Sequence, residues 1–197
     1  MQQRKNPTSF MGGSVNLIYK IAKAVSRRKA KIEGIENLKE QCIILSNHIT
    51  KLDHWIIGTI ISDETHLDLS ILSSVRYRWL IKICGYKIHN LFEKIFNVIF
   101  IHTKEQACQE IKDKIYGGNN ILLFPEGSFF LDREKGFRIY KFKTGAIRIA
   151  QETQIPIILC KISHSKLRVS FSEKYHISEY DNVKQKAKEL MQILYKL

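Results

Sequence analysis

The sequence lacks long apolar runs. No stretch reaches the roughly 18 uninterrupted apolar residues that mark a membrane-spanning helix. The N-terminus also lacks an apolar segment that ends in a small-residue cleavage site, as a secretory signal would. We therefore expect a chain that is not exported by a visible signal and does not cross a membrane.

Cysteine is scarce and scattered. The four cysteines of the 197-residue chain are Cys42, Cys84, Cys108 and Cys160, without the close pairs that metal sites or small disulfide frameworks require. We expect reduced core residues and no metal site. Repeats, linkers and low-complexity tracts are absent as well, so the length predicts a single domain with one hydrophobic core.

Acidic residues are outnumbered. The chain has 19 Asp and Glu against 32 Lys and Arg, which gives a formal net charge of +13. This charge favours polyanions, which include anionic lipid headgroups, nucleic acid and phosphorylated substrates. It also fits a solvated basic surface without a specific role. Because no recognised helix-turn-helix, zinc or RNA-binding signature is present, we expect no nucleic-acid partner.

The segment 1–30 contains a basic amphipathic pattern. Apolar residues recur at helical spacing between positions 10 and 28, and lysines and arginines occupy much of the rest. The pattern predicts a helix that lies among the anionic headgroups of a membrane surface. The alternative is an ordinary terminal helix docked on its own domain. We assign 1–30 to an N-terminal membrane-associating segment and 31–197 to the main domain.

Short apolar runs alternate with helical patterns along the rest of the chain. The predicted strands are 31–35, 42–46, 67–72, 98–101, 121–124, 155–162 and 166–171. The predicted helices are 53–61, segments between 75 and 96, 104–116, 144–152 and 179–195. This order predicts an α/β fold, a single domain with a mixed, mostly buried sheet flanked by helices. Ligands of such sheets bind beyond the carboxyl ends of the strands.

A histidine and an aspartate flank one predicted strand end. His48 follows the strand 42–46, and Asp53 opens the next helix. A carboxylate that orients an imidazole makes a general base. The same spacing recurs at His176 and Asp181, where we expect no buried strand to aim the histidine. The alternative is that Asp53 only caps the helix and His48 is a hydrogen-bonded turn residue.

A second candidate turn ends the strand 121–124. Pro125 is followed by Glu126, Gly127 and Ser128, which are a carboxylate, a flexible glycine and a hydroxyl. Gly127 allows close approach of the backbone to a ligand. The same residue types also make ordinary turns.

The two motifs together, in this order, resemble the glycerolipid acyltransferase family, the lysophosphatidate and glycerol-phosphate acyltransferases. The resemblance extends from about Cys42 to about Lys161. Further blocks that look like those of the family are 98–101, Phe142 to Ala146, and Ile155 to Ile157.

The resemblance implies that His48 acts as the base, oriented by Asp53, and removes a proton from a lysophospholipid hydroxyl. The acceptor is 1-acylglycerol-3-phosphate or a related lysophospholipid, and it attacks the thioester of acyl-CoA or acyl carrier protein as co-substrate. Glu126, Gly127 and Ser128 would bind the acceptor. No metal or organic cofactor is implied. We expect a peripheral membrane enzyme on the cytoplasmic side, with 31–197 as the acyltransferase domain.

Two arginines of the family pattern are missing. Phe129 stands where the family has an arginine after the glutamate block, and His102-Thr103 closes the third block where an arginine is usual. Among the nearby cations that can substitute are Lys143 and Lys104, although lysine offers a point charge rather than a fork. A lysophospholipid with a larger headgroup, as in the remodelling and tafazzin-like branches, therefore competes as acceptor.

Other functions compete with acyl transfer as interpretations of the sequence. The chain can be a catalytically inactive family member, or a basic module that binds membranes or nucleic acid. A serine esterase is not expected because the chain has no Gly-x-Ser-x-Gly elbow.

Overall fold

The computed structural model describes residues 31–50, 53–65, 67–74, 97–101, 103–126, 142–163 and 168–197. The predicted amphipathic helix of the segment 1–30, the helical segments between 75 and 96, and Cys84 lie outside the described residues. The boundary proposed at residue 30 therefore stays a prediction.

Strands and helices alternate through most of the described chain. The strands are β1 (Lys31–Glu33), β2 (Ile43–Ser46), β3 (Leu69–Ser74), β4 (Ile99–Ile101), β5 (Asn120–Leu123), β6 (Ile157–Ser163) and β7 (Arg168–Tyr175). The helices are α1 (Asp53–Thr65), α2 (Lys104–Tyr116), α3 (Gly145–Thr153) and α4 (Val183–Lys196), with a short 3-10 turn at Ile35–Asn37.

The strands of the described residues form one sheet in the order β1-β7-β6-β2-β5-β3-β4. Neighbouring strands are parallel except β6 and β7, which are antiparallel. Only positions 164–167 separate β6 from β7, which is too short for the crossover that a parallel pair needs. The mixed α/β sheet predicted from the sequence is confirmed.

Helices cover both faces of the sheet. The central strand β2 shows why, because Ile43 and Leu45 pack on one face and Ile44 on the other, and all three are fully buried. Helices α2, α3 and α4 pack on the face that carries Ile43 and Leu45, and α1 packs on the face that carries Ile44. Burial on both faces explains the continuous apolar sequence of β2.

The predicted start of the last helix is wrong. Helix α4 begins at Val183, not at residue 179, because Asn182 caps it: its side-chain oxygen accepts from the backbone N–H groups of Lys184 and Gln185, each at 3.1 Å. Asp181 accepts from the backbone N–H of Ser178 at 2.8 Å and closes a turn before the cap. The bounds of α2, in contrast, are those predicted from the sequence.

Strand β7 continues beyond its predicted end at residue 171 and reaches Tyr175. The register of β6 and β7 shifts between Ile158 and Cys160, and there the Ser172 hydroxyl accepts from the backbone N–H of Leu159 at 2.9 Å. The strand therefore continues through polar residues. His176 follows this strand directly, but the strand residues before it, Glu173 to Tyr175, are exposed or half-buried. The expectation that no buried strand aims this histidine is confirmed.

The cysteines of the described residues are free, as predicted. Cys42 and Cys160 are fully buried, and burial raises the pKa of each thiol to about 12. Cys108 is partly buried against the cluster beneath α2. No helix within the described ranges is both long and apolar enough to cross a membrane.

Candidate active site

Two loops leave the same edge of the sheet side by side. Strands β2 and β5 are parallel neighbours, with Ile43 opposite Ile121 and Leu45 opposite Leu123. The carboxyl ends of parallel strands lie at one edge, so the turn after β2 and the turn after β5 are adjacent. This arrangement brings His48 and Glu126 together although they are far apart in sequence.

Asp53 contacts the ring of His48 directly. The distance between His48 Nδ1 and Asp53 Oδ2 is 3.0 Å, within hydrogen-bond range. Asp53 is fully buried, and the side chain of His48 is 11% exposed. A ring that donates its Nδ1–H to this carboxylate carries its lone pair on Nε2, which is the tautomer that a general base needs.

The same carboxylate organises the turn between β2 and α1. Its Oδ2 accepts from the backbone N–H groups of Ile49 at 2.6 Å and Thr50 at 2.8 Å, and its Oδ1 accepts from the Thr50 hydroxyl at 2.8 Å. These donors precede Asp53 in the chain. The turn is therefore closed by the residue that also orients His48.

An aromatic ring supports the histidine from the second loop. Phe124 stacks on His48 with 4.3 Å between ring centroids and 29° between ring planes. Phe124 comes directly after β5, beside the end of β2. The imidazole is thus fixed by a carboxylate through its ring nitrogen and by a stacked ring on its face.

Asn47 ties the turn to strand β6. Its side-chain nitrogen donates to the carbonyl of Ile162 at 3.0 Å, and its side-chain oxygen accepts from the N–H of Ile162 at 2.8 Å. This pair of bonds continues the pairing of β2 with β6 past Ser46 and Cys160. Sequence reasoning missed this role, because the partner is 115 residues away.

Glu126 lies between His48 and the last helix. The Tyr195 hydroxyl donates to Glu126 Oε1 at 2.6 Å. Burial raises the pKa of the Glu126 carboxyl, although hydrogen bonds from Tyr195 and from the backbone of His48 act in the opposite direction. Tyr195 was not found from the sequence, since nothing local in α4 marks it as a neighbour of Glu126.

His54 is a second histidine next to the pair. Its pKa falls from 6.5 to about 4, mainly because burial disfavours the charged ring; nearby His48 also lowers the pKa, and Asp53 partly offsets both effects. His54 is therefore neutral near pH 7. Sequence reasoning missed this residue as well.

The other predicted site residues are placed differently. The backbone N–H of Lys143 donates to the carbonyl of Pro125 at 2.8 Å, so Lys143 begins beside the Glu126 turn, and its side chain is exposed. Lys104 is exposed at the start of α2. It follows the edge strand β4, three strand spacings or roughly 14 Å from β2 within the sheet. Gly127 and Ser128 lie outside the described residues.

Within the described part of the chain, no group of three His, Cys, Asp or Glu residues is arranged to hold a metal ion.

A family model described as Acyltransferase matches residues 29–163. The chain is 25% identical over 140 residues to a putative 1-acyl-sn-glycerol-3-phosphate acyltransferase of Caenorhabditis elegans, which covers 69% of this chain and 49% of that protein. It is 24% identical over 149 residues to a 1-acyl-sn-glycerol-3-phosphate acyltransferase of Limnanthes douglasii, which covers 76% of this chain and 48% of that protein. The chain thus spans about half the length of these relatives.

The fold also resembles a solved structure. The crystal structure of the 1-acyl-sn-glycerophosphate acyltransferase PlsC from Thermotoga maritima superposes with a TM-score of 0.64 at 16% identity. The match covers 96% of this chain and 84% of that chain. At this identity the likeness shows a shared fold.

Proposed function

We propose, from the premise that the chain belongs to the acyltransferase family, that it transfers a fatty acyl group from a thioester to the hydroxyl of a lysophospholipid. The contact between His48 Nδ1 and Asp53 Oδ2 carries the proposal. It lies at the carboxyl end of a central strand, where α/β sheets bind ligands.

His48 acts as the general base. Its Nε2 takes the proton of the acceptor hydroxyl while that oxygen attacks the carbonyl carbon of the thioester. The tetrahedral intermediate then breaks its carbon–sulfur bond, and the departing thiolate receives the proton from the imidazolium. Asp53 holds the ring in the required tautomer and stabilises the imidazolium while it exists.

The turn after β5 binds the acceptor. Glu126 is fixed next to His48, and Gly127 and Ser128 follow it in the chain. The names of the relatives support 1-acylglycerol-3-phosphate as acceptor. Lys143, whose backbone N–H donates to the carbonyl of Pro125 beside Glu126, provides one cation for the headgroup, and Lys104 provides a more distant one. A lysophospholipid with a larger headgroup is the second candidate acceptor, since Phe129 replaces the arginine of the family pattern.

The donor is acyl-CoA or acyl carrier protein, and no metal or organic cofactor takes part. The enzyme works at the surface of a membrane on the cytoplasmic side, where anionic headgroups attract a chain of net charge +13. The segment 1–30 supplies the attachment.

A donor and acceptor panel tests the proposal. Purified protein and its His48→Ala variant are incubated with labelled acyl-CoA or labelled acyl-acyl carrier protein, and with lysophosphatidate or lysophospholipids of larger headgroup. We expect transfer to lysophosphatidate that depends on His48. Equal transfer by the His48 variant would refute the assigned base. No transfer with any pair would favour an inactive family member or a basic binding module.

Membrane attachment through the segment 1–30 is tested separately. Flotation with anionic vesicles compares the full chain with a chain that lacks 1–30. Loss of binding on deletion supports the assignment of that segment, and unchanged binding contradicts it.

A further inference from the structure

The last turn of α4 reaches the candidate site from outside the part of the chain that the family model matches. That match ends at residue 163, whereas Tyr195 lies near the end of α4. Its hydroxyl donates to Glu126 Oε1 at 2.6 Å. A short hydrogen bond of this kind, from a neutral hydroxyl to a carboxylate, is stronger than one between neutral groups.

Tyr195 is held in place from the sheet. The side-chain nitrogen of Lys161 donates to the backbone carbonyl of Tyr195 at 2.8 Å. Leu190 and Leu194, on the same helix, are fully buried in the core. Lys161 belongs to β6, the neighbour of β2 in the sheet. The last turn of α4 is therefore held against the same sheet that positions His48.

Glu126 faces groups from three elements. Tyr195 of α4 and the backbone of His48 donate to it, and the charges of His48 and of Asp53 in α1 act on it with opposite signs. Burial raises the pKa of its carboxyl, whereas the Tyr195 bond favours the charged form. Removal of the Tyr195 hydroxyl leaves a partly buried carboxylate with one donor fewer.

The same turn of α4 borders open space. Met191, Gln192, Tyr195 and Lys196, all of α4, line an open depression of about 330 Å³. Tyr195 thus has Glu126 at its hydroxyl and open space along its side chain.

From these contacts we infer that Tyr195 is a positioning residue, which holds the carboxylate of Glu126 in the orientation that binds the polar headgroup of the acceptor lipid. The inference rests on the proposed function. It assigns to α4 a part in acceptor binding, outside the segment that the family model matches.

Steady-state kinetics of Tyr195→Phe provide the first test, because this change removes only the hydroxyl. We expect KM for lysophosphatidate to rise about tenfold, from loss of one hydrogen bond to a charged group, with kcat changed less than about twofold. Tyr180→Phe is the matched control, since Tyr180 is 90% exposed. If the wild-type enzyme is active and the KM of Tyr195→Phe equals that of Tyr180→Phe, the inference is wrong.

A titration separates this inference from the proposed function. Protein labelled with ¹³C at glutamate carboxyl carbons is titrated, and the Glu126 signal is assigned by its loss in Glu126→Gln. In Tyr195→Phe we expect the pKa of Glu126 to be higher than in wild type. As the pH is lowered, the KM for lysophosphatidate should therefore begin to rise at a higher pH in the variant than in wild type. If wild-type protein transfers no acyl group, the proposed function is wrong, and the titration then tests the hydrogen bond between Tyr195 and Glu126 by itself. A Glu126 titration midpoint that is the same in Tyr195→Phe and in wild type overturns the inference.

Discussion

Two regions of this chain share a histidine, four intervening residues and an aspartate, and only one of them forms a histidine–carboxylate pair. At the end of β2, His48 and Asp53 are 3.0 Å apart and Asp53 is fully buried. At the end of β7, His176 is exposed. Asp181 instead accepts from the backbone N–H of Ser178 and lies 4.0 Å from the side-chain nitrogen of Lys186.

Both histidines follow a strand, so a strand end alone does not make the difference. Strand β7 is antiparallel to β6, and its carboxyl end is at the opposite edge of the sheet from that of β2. At the β2 edge, Phe124 and Glu126 arrive from the neighbouring parallel strand. Strand direction, which spacing does not encode, therefore distinguishes the region that forms a buried histidine–carboxylate pair from the one that does not.

Replacement of each histidine in turn should give the largest difference between the two regions. We expect His48→Ala to lower kcat for acyl transfer about a thousandfold, because a general base is lost. His176→Ala should leave kcat within about twofold of wild type. Transfer of labelled acyl groups measures both. Comparable losses in the two variants would mean that His48 has no special role.

Substitution of the two aspartates should give the next largest effect. Asp53→Asn places an amide where one carboxylate oxygen accepts three bonds, so we expect kcat to fall about a hundredfold and the free energy of unfolding by about 2 kcal/mol. Asp181→Asn should leave kcat unchanged. Kinetics and urea denaturation of each variant provide the measurement. A fully active Asp53→Asn enzyme would contradict the assigned orientation of the ring.

Replacement of one asparagine in each region compares how the two turns contribute to stability and activity. Asn47→Ala leaves the buried N–H of Ile162 without its acceptor, which should cost about 2 kcal/mol of unfolding free energy, and kcat/KM should fall about tenfold. Asn182→Ala removes an exposed helix cap near the second pair and should cost about 1 kcal/mol without loss of activity. Equal kinetic effects would show that Asn47 does not position His48.

The smallest expected effect is a pH dependence of stability near the first pair. Burial lowers the pKa of folded His54 to about 4 from 6.5, so between these values the unfolded chain binds more protons. Stability is therefore full above about pH 6.5 and falls toward pH 4, by about 1 kcal/mol between pH 7 and pH 5.5. His54→Gln should flatten this part of the curve in urea denaturation. An identical slope in the variant would place the dependence elsewhere.

Local features of the structure were predictable from the sequence. Helix α2 begins after Thr103, whose hydroxyl accepts from the N–H of Gln106 at 3.2 Å, and ends at Gly117. The apolar run of β2 and the short turn after it also predicted that His48 and Asp53 could meet. Signals of this kind extend over a few residues, which is the range of capping and of strand periodicity.

Contacts between distant segments were not predictable. The bond between Tyr195 and Glu126 joins residues 69 apart, and that between Asn47 and Ile162 joins residues 115 apart. Both depend on the order of strands in the sheet, which no local pattern contains. The direction of β7 was likewise unknown, and without it the two histidine–aspartate pairs could be ranked only by their surroundings in the sequence.

The bonds of Asp53 have a consequence for how the site forms. Its donors are the ring of His48, the backbone of Ile49, and the backbone and hydroxyl of Thr50, all supplied by the chain itself. The ring proposed as the base is therefore aligned by contacts within the folded chain itself. A base that is preorganised in this way needs no rearrangement when substrate enters.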